Sequence, residues 1–180
     1  MLENLINLVR QNSSEALVNN PSIPNEKNEA AQELAGNSIT NTLQKALAGG
    51  KLNEVLGYFK QGNKDTGIVK EATVNYSREL QEKLGLDAPQ ARTVAEKVVP
   101  NTMTQLASKT ADPADNSFNI QNIFDQLSGG KTGGMNIQNL LNRFGGGKLD
   151  KDGDGDVDLQ DLKSAFSGTG GIMDKVKGFF

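Results

Sequence analysis

GIVKEATVNYSRELQEKLGLDAPQARTVAEKVV, residues 67–99, reads as two helices and the turn that joins them. Ile68, Val69, Ala72, Tyr76 and Leu80 return at the three- and four-residue spacing of one helical face, and Gly85 stands where a helix closes with a left-handed residue. Asp87 then takes the N-cap position of a second helix. Pro89 falls in its first turn, where a missing N–H costs little. Pro100 is expected to end or kink this second helix before NTMTQLASK resumes it.

Working outward toward the N-terminus, the same period persists. Residues 26–48 carry Ala30, Ala31, Leu34, Ala35, Ile39, Leu43, Ala46 and Leu47 on one side and stop at Gly49 and Gly50. KLNEVLGYFK, from Lys51, reads as a short helix. Leu2, Leu5, Ile6 and Val9 mark a first helix that is expected to continue through Leu17 and Val18 until NNPSIPN breaks it. No run alternates with a two-residue period, so the fold class predicted is all-α, a compact multi-helix protein. Turn formers cluster in TADPADNS, residues 110–117, which sets the expected boundary between a helical domain at 1–112 and a second unit at 113–180.

Beyond that boundary the chain repeats itself. NIQNIFDQLSGG begins at Asn119, NIQNLLNRFGGG at Asn136 and DLQDLKSAFSG at Asp158. Each reads as a short helix capped by its first Asn or Asp and stopped by glycine. Ile120, Ile123, Phe124 and Leu127 match Ile137, Leu140, Leu141 and Phe144; Leu159, Leu162 and Phe166 continue the pattern, and Lys163 departs from it. Helices this short are marginal alone, so their stripes should be buried against one another or against the first half.

The third repeat also carries an unusual density of like charge. In LDKDGDGDVDLQDL, from Leu149, Asp150, Asp152, Asp154, Asp156, Asp158 and Asp161 fall at positions 1, 3, 5, 7, 9 and 12 of a twelve-residue loop, with Gly155 at position 6 and Val157 at position 8. That is the spacing of an EF-hand calcium loop. Three aspartate side chains, the Asp156 carbonyl, Asp158 through water and Asp161 would supply oxygens, Gly155 would allow the sharp turn, and Val157 would face the core. An ordinary acidic turn has no reason to fill every ligand position, the glycine and the apolar position in one register. The ion expected is Ca2+; Mg2+ is the second choice, because Asp161 replaces the longer glutamate that usually closes the sphere on both oxygens.

Gly145, Gly146 and Gly147 replace a stiff entering helix, and in this loop-plus-exiting-helix form the segment resembles the dockerin type of calcium loop. Dockerins carry two liganded copies about 22 residues apart; here the upstream copy SGGKTGGMNIQN keeps Gly133 and Met135 without a carboxylate, and ADPADNSFNIQN keeps Asp115 and Phe118. The resemblance therefore implies the metal site and not a cohesin partner. MLENL, VVPNTMTQLASK and SFNIQNIFDQLSGG, with the glycine-punctuated helices, also resemble the YidB-like family of unknown function in its Bacteroidetes type. That likeness implies an all-helical bacterial protein and no established activity.

Composition narrows the function further. Among 180 residues there is no cysteine and no histidine, which removes disulfides, thiolate and imidazole metal sites, and the Ser/His/Asp and Cys/His catalytic arrangements. A net charge of -3 and scattered lysines leave no basic stripe for nucleic acid. Glu3, Asn4, Asn7 and Arg10 interrupt the N-terminal apolar residues, so no signal peptide is expected there and the location expected is cytoplasmic. No apolar run reaches the roughly 18 residues of a membrane span.

The function predicted is non-enzymatic: one calcium ion orders the C-terminal helical unit of an interaction or structural module with an unidentified protein partner. An alternative is a docking adaptor for a membrane surface or a partner. In that reading GIMDKVKGFF, residues 171–180, sets Ile172, Met173, Val176, Phe179 and Phe180 opposite Asp174, Lys175 and Lys177. A carboxylate-dependent hydrolase would have to draw on Glu29, Glu33, Glu79 and Glu82, whose spacing is also that of a solvated helix face.

Overall fold

The computed structural model describes residues 2–143 except 22, 63, 113 and 133–135. The described residues are dominated by helices and contain no strand. Among the described residues seven α-helices follow one another: α1 Leu2–Asn12, α2 Asn28–Ala48, α3 Leu52–Gln61, α4 Gly67–Leu84, α5 Ala88–Ala111, α6 Ile120–Leu127 and α7 Ile137–Arg143.

The α4–α5 hairpin is the centre of the fold, with α2 lying along α4, and α1 and α3 along both α2 and α5. Its local chemistry matches its sequence. Thr66 caps α4 by accepting from the Val69 N–H, and Gly85, at φ 71°, closes it. Asp87 Oδ1 then accepts from the Gln90 N–H at 2.8 Å and starts α5. Ile68, Val69, Ala72, Tyr76 and Leu80 are all buried.

Some helix ends differ from expectation. The first helix does not run on to Val18; it ends at Asn12, and Ser14–Val18 form a separate turn of π-helix. The Asn12 Nδ2 donates to the Leu8 carbonyl at 2.7 Å, and Ser13 is buried beneath Gln32. Short polar side chains of this kind compete with the helical backbone, and the wider turn that follows rotates Ala16 and Leu17 inward while Val18 stays 46% exposed. Of the two outcomes expected at Pro100, an end or a kink, the end does not occur: α5 runs from Ala88 to Ala111 through it. A helix-interior proline costs about 3 kcal/mol. Val98, Val99, Met103 and Leu106 are buried on either side of Pro100, and each such side chain contributes about 1.5–3 kcal/mol by leaving water. Tertiary burial exceeds the local penalty.

α2 also starts later than expected, at Asn28, after a 3-10 turn over Asn25–Lys27. Where α1 crosses it, Gly36 leaves room for Ile6: a Cβ there would stand 2.9 Å from Ile6 Cγ1.

Buried polar groups tie the seams. Between α2 and α4, Ser38 Oγ donates to Glu79 Oε2 at 3.0 Å and Asn75 Nδ2 to Thr42 Oγ1 at 3.1 Å. Tyr58 donates to the Met103 carbonyl and Tyr76 to the Ala31 carbonyl at 2.9 Å, and burial pushes both phenol pKa values upward. Replacing Tyr76 with Phe is expected to cost about 1 kcal/mol and lower the melting temperature by roughly 2–4 °C. An unchanged thermal transition would mean that this bond adds nothing to stability.

Phe118, Ile120, Ile123, Phe124 and Leu127, with Ile137 and Leu140, belong to the same apolar cluster as α1–α5. The Phe124 ring lies 5.7 Å from Phe59 on α3.

Candidate metal centre

Asp150, Asp152, Asp154, Asp156, Asp158 and Asp161 lie outside the described residues, as do Phe144, the third repeat and the tail at 171–180. The segments aligned with the aspartate loop in the two earlier repeats are described, almost completely for the first. Their geometry shows what this chain does with the same register when the carboxylates are few.

In the first segment, residues 111–122, Asp115 and Phe118 stand at loop positions 5 and 8. Asp112 opens the turn, accepting from the Asp115 N–H on its carbonyl and from the Ala114 N–H on Oδ1. Asp115 Oδ1 accepts from the Ser117 hydroxyl and from the Ser117 N–H at 2.9 Å, while Oδ2 takes the Lys109 ammonium at 2.9 Å. A short 3-10 turn, Asn116–Phe118, brings Phe118 into the core. Asn119, at loop position 9, then caps α6 with Oδ1 accepting from Gln121 and Asn122. Position 5 turns inward, position 8 is buried and position 9 starts the helix. An ammonium from α5 supplies the positive charge.

Those partners hold the Asp115 carboxyl down at about 2: the Ser117 hydroxyl chiefly, then Lys109 and the Ser117 backbone. An unfolded aspartate titrates near ~3.9. The unfolded chain therefore binds the proton more readily, so this group stabilises the fold above about pH 4 and the contribution disappears as pH falls through about 2. The Asp115→Asn variant is expected to be less stable than the native chain in urea at neutral pH and to converge with it near pH 2. A constant gap across that range would refute the charge argument.

The second segment, residues 128–139, replaces acid with hydroxyls. Ser128 Oγ lies 3.1 Å from Thr132 Oγ1 and accepts from the Thr132 N–H at 3.2 Å, both residues buried. Gly129 and Gly130 pass through positive φ at 63° and 82°. Asn136 caps α7 by accepting from the Asn139 N–H at 2.9 Å. Gln121 of the first repeat reaches across to accept from the Ile137 N–H at 3.0 Å, an inter-repeat bond that the sequence reading did not foresee. The glutamine shared by all three repeats was its only trace.

Among the described residues no three acidic side chains gather closely enough to hold a metal. Glu29 pairs with Arg10 at 3.1 Å, and Glu79 with Ser38 and, at 3.7 Å, with Lys83. The open clefts among the described residues include two. One, of about 290 Å³, lies between the Ser14–Val18 turn and α5, where Glu15, Asn19 and Asn20 face Thr93 and Lys97. The other, of about 160 Å³, lies between the ends of α3 and α5 and the helix α7. No described helix is long and apolar enough to cross a membrane.

A helix-rich chain with capped, glycine-punctuated C-terminal units is the class these features define. No family model, curated protein or solved structure matches the chain.

Proposed function

We propose that the chain is a non-enzymatic calcium-binding protein in which one ion, held by Asp150, Asp152, Asp154, Asp156 and Asp161 with Asp158 through water, orders the C-terminal helical unit. The observation that carries the reading is the complete ligand register of residues 150–161, with glycine at position 6 and valine at position 8. The aligned segment at 111–122 supports it. There a carboxylate at position 5 folds inward onto a cation, the position-8 residue is buried and the position-9 residue caps a helix. Residues 150–161 hold six aspartates and a single lysine, Lys151, and a divalent ion would offset the repulsion among them.

The ion acts as a clip, not as a conformational sensor. A sensor swings a stiff entering helix to uncover an apolar groove, and Gly145, Gly146 and Gly147 do not favour such a helix. Amide exchange with and without calcium is therefore expected to differ around residues 148–168, with smaller changes in contacting segments, and to be nearly unchanged over 1–110. Altered protection throughout the first half, or binding of an apolar dye on adding calcium, would replace the clip with a switch. Magnesium titrated into the same metal-free sample decides between the two ions.

A further inference from the structure

The Gln121–Ile137 bond follows from how helices begin. Amides in a first turn have no partner within their own helix. Asn136 satisfies Asn139, and Gln121 from the preceding repeat satisfies Ile137. Gln138 holds the same place in the second repeat as Gln121 in the first. It is exposed, and among the described residues its carboxamide has no hydrogen-bond partner. Gln138 lines the 160 Å³ cleft together with Phe59, Lys60, Thr110, Ala111 and Leu141. Leu141, the counterpart of the fully buried Phe124, is only half-buried there. The cleft is thus the open end of the repeat stack, with an acceptor in the position that the first repeat uses to seat the second and a half-buried apolar side chain beside it.

We propose that this cleft is the seat of the third repeat, residues 158–167, with the Leu159 N–H donating to Gln138 Oε1 and the Leu159, Leu162 and Phe166 stripe covering Leu141. The occupant is selected by three facts. It carries the next copy of the same motif, so it supplies the same first-turn amide at the same place. It begins 15 residues beyond Arg143, a stretch that extended chain can carry over as much as ~50 Å, so reach is no obstacle. The segment leading into it is the aspartate loop, and Lys60 at the rim has the opposite charge. The proposal goes beyond the calcium reading and does not rest on it, because the repeat and the glutamine carry it.

The absence of cysteine makes proximity easy to test in the full chain. With Leu141→Cys and Leu162→Cys introduced together, mild oxidation of dilute protein is expected to close an intramolecular disulfide. It should form faster than in the Leu141→Cys, Phe179→Cys chain, which tests the tail as occupant, and Leu141→Cys alone should stay monomeric. A faster link to position 179, or covalent dimers, would overturn the proposal. In the otherwise native chain the Leu159 amide is expected to be protected from exchange; protection should fall about fivefold in Gln138→Ala and persist in Gln138→Glu, as loss of one hydrogen bond requires. An unprotected Leu159 amide in calcium-treated protein would overturn it equally. Each measurement is run in calcium and in chelator. A calcium-silent chain that still forms the 141–162 link defeats the metal reading alone, whereas a chain that binds calcium without the link defeats the docking alone.

Discussion

Calorimetric titration of the metal-free chain is expected to show one calcium ion per molecule at an affinity on the order of 10⁻⁵ to 10⁻³ M, as befits an unpaired loop closed by aspartate. Asp150→Asn and Asp154→Asn should weaken it by at least about 100-fold. Removing an outer hydrogen-bond partner of a metal ligand costs 10- to roughly 100-fold, and these substitutions remove an anionic ligand itself. Asp115→Asn should leave the affinity unchanged, since that carboxylate is already occupied by Ser117 and Lys109. Equal losses at Asp115 and Asp150 would make the first repeat part of the metal site. A stoichiometry of two would mean that SGGKTGGMNIQN binds an ion without carboxylates.

The second large effect concerns the joint between the two halves. Phe124 is fully buried beside Phe59, and truncating such a ring to alanine costs about 3–5 kcal/mol, a large part of the 5–15 kcal/mol that holds a typical domain together. The two tyrosines, Tyr58 and Tyr76, are on α3 and α4, and the chain has no tryptophan, so tyrosine emission reports the first half specifically. In urea, Phe124→Ala is expected to shift the transitions followed by tyrosine emission and by helical circular dichroism to lower denaturant together. The ring it touches neighbours Tyr58 at a centroid distance of 4.8 Å, so the cavity opens within the shared cluster. A tyrosine transition that stays in place while part of the helical signal melts early would show that the repeats unfold separately.

Much of the fold was written in local chemistry. The α4–α5 hairpin was legible because Asp87 caps α5 through its own side chain, Gly85 takes the left-handed turn, and the apolar period of α4 places its buried face. The caps at Asn119 and Asn136 were legible for the same reason, since the donor lies two or three residues away. The candidate loop is the extreme case: spacing along the chain is itself the ligand set.

What the sequence by itself determined was therefore the α4 and α6 faces, several helix ends and the aspartate register, all of which depend on residues within one or two turns of one another; of the α1 face it read, Leu5 and Val9 are buried but Leu2 is exposed. The tertiary structure alone decided the rest. It ended α1 at Asn12, where Ser13 is buried beside Gln32, and it carried α5 through Pro100, because burial on both sides outweighs one lost backbone bond. It joined Lys109 to Asp115 across a helix end and Gln121 to Ile137 across a repeat. Such contacts leave no period to read, since each partner is chosen by which groups are left unsatisfied once the helices are packed.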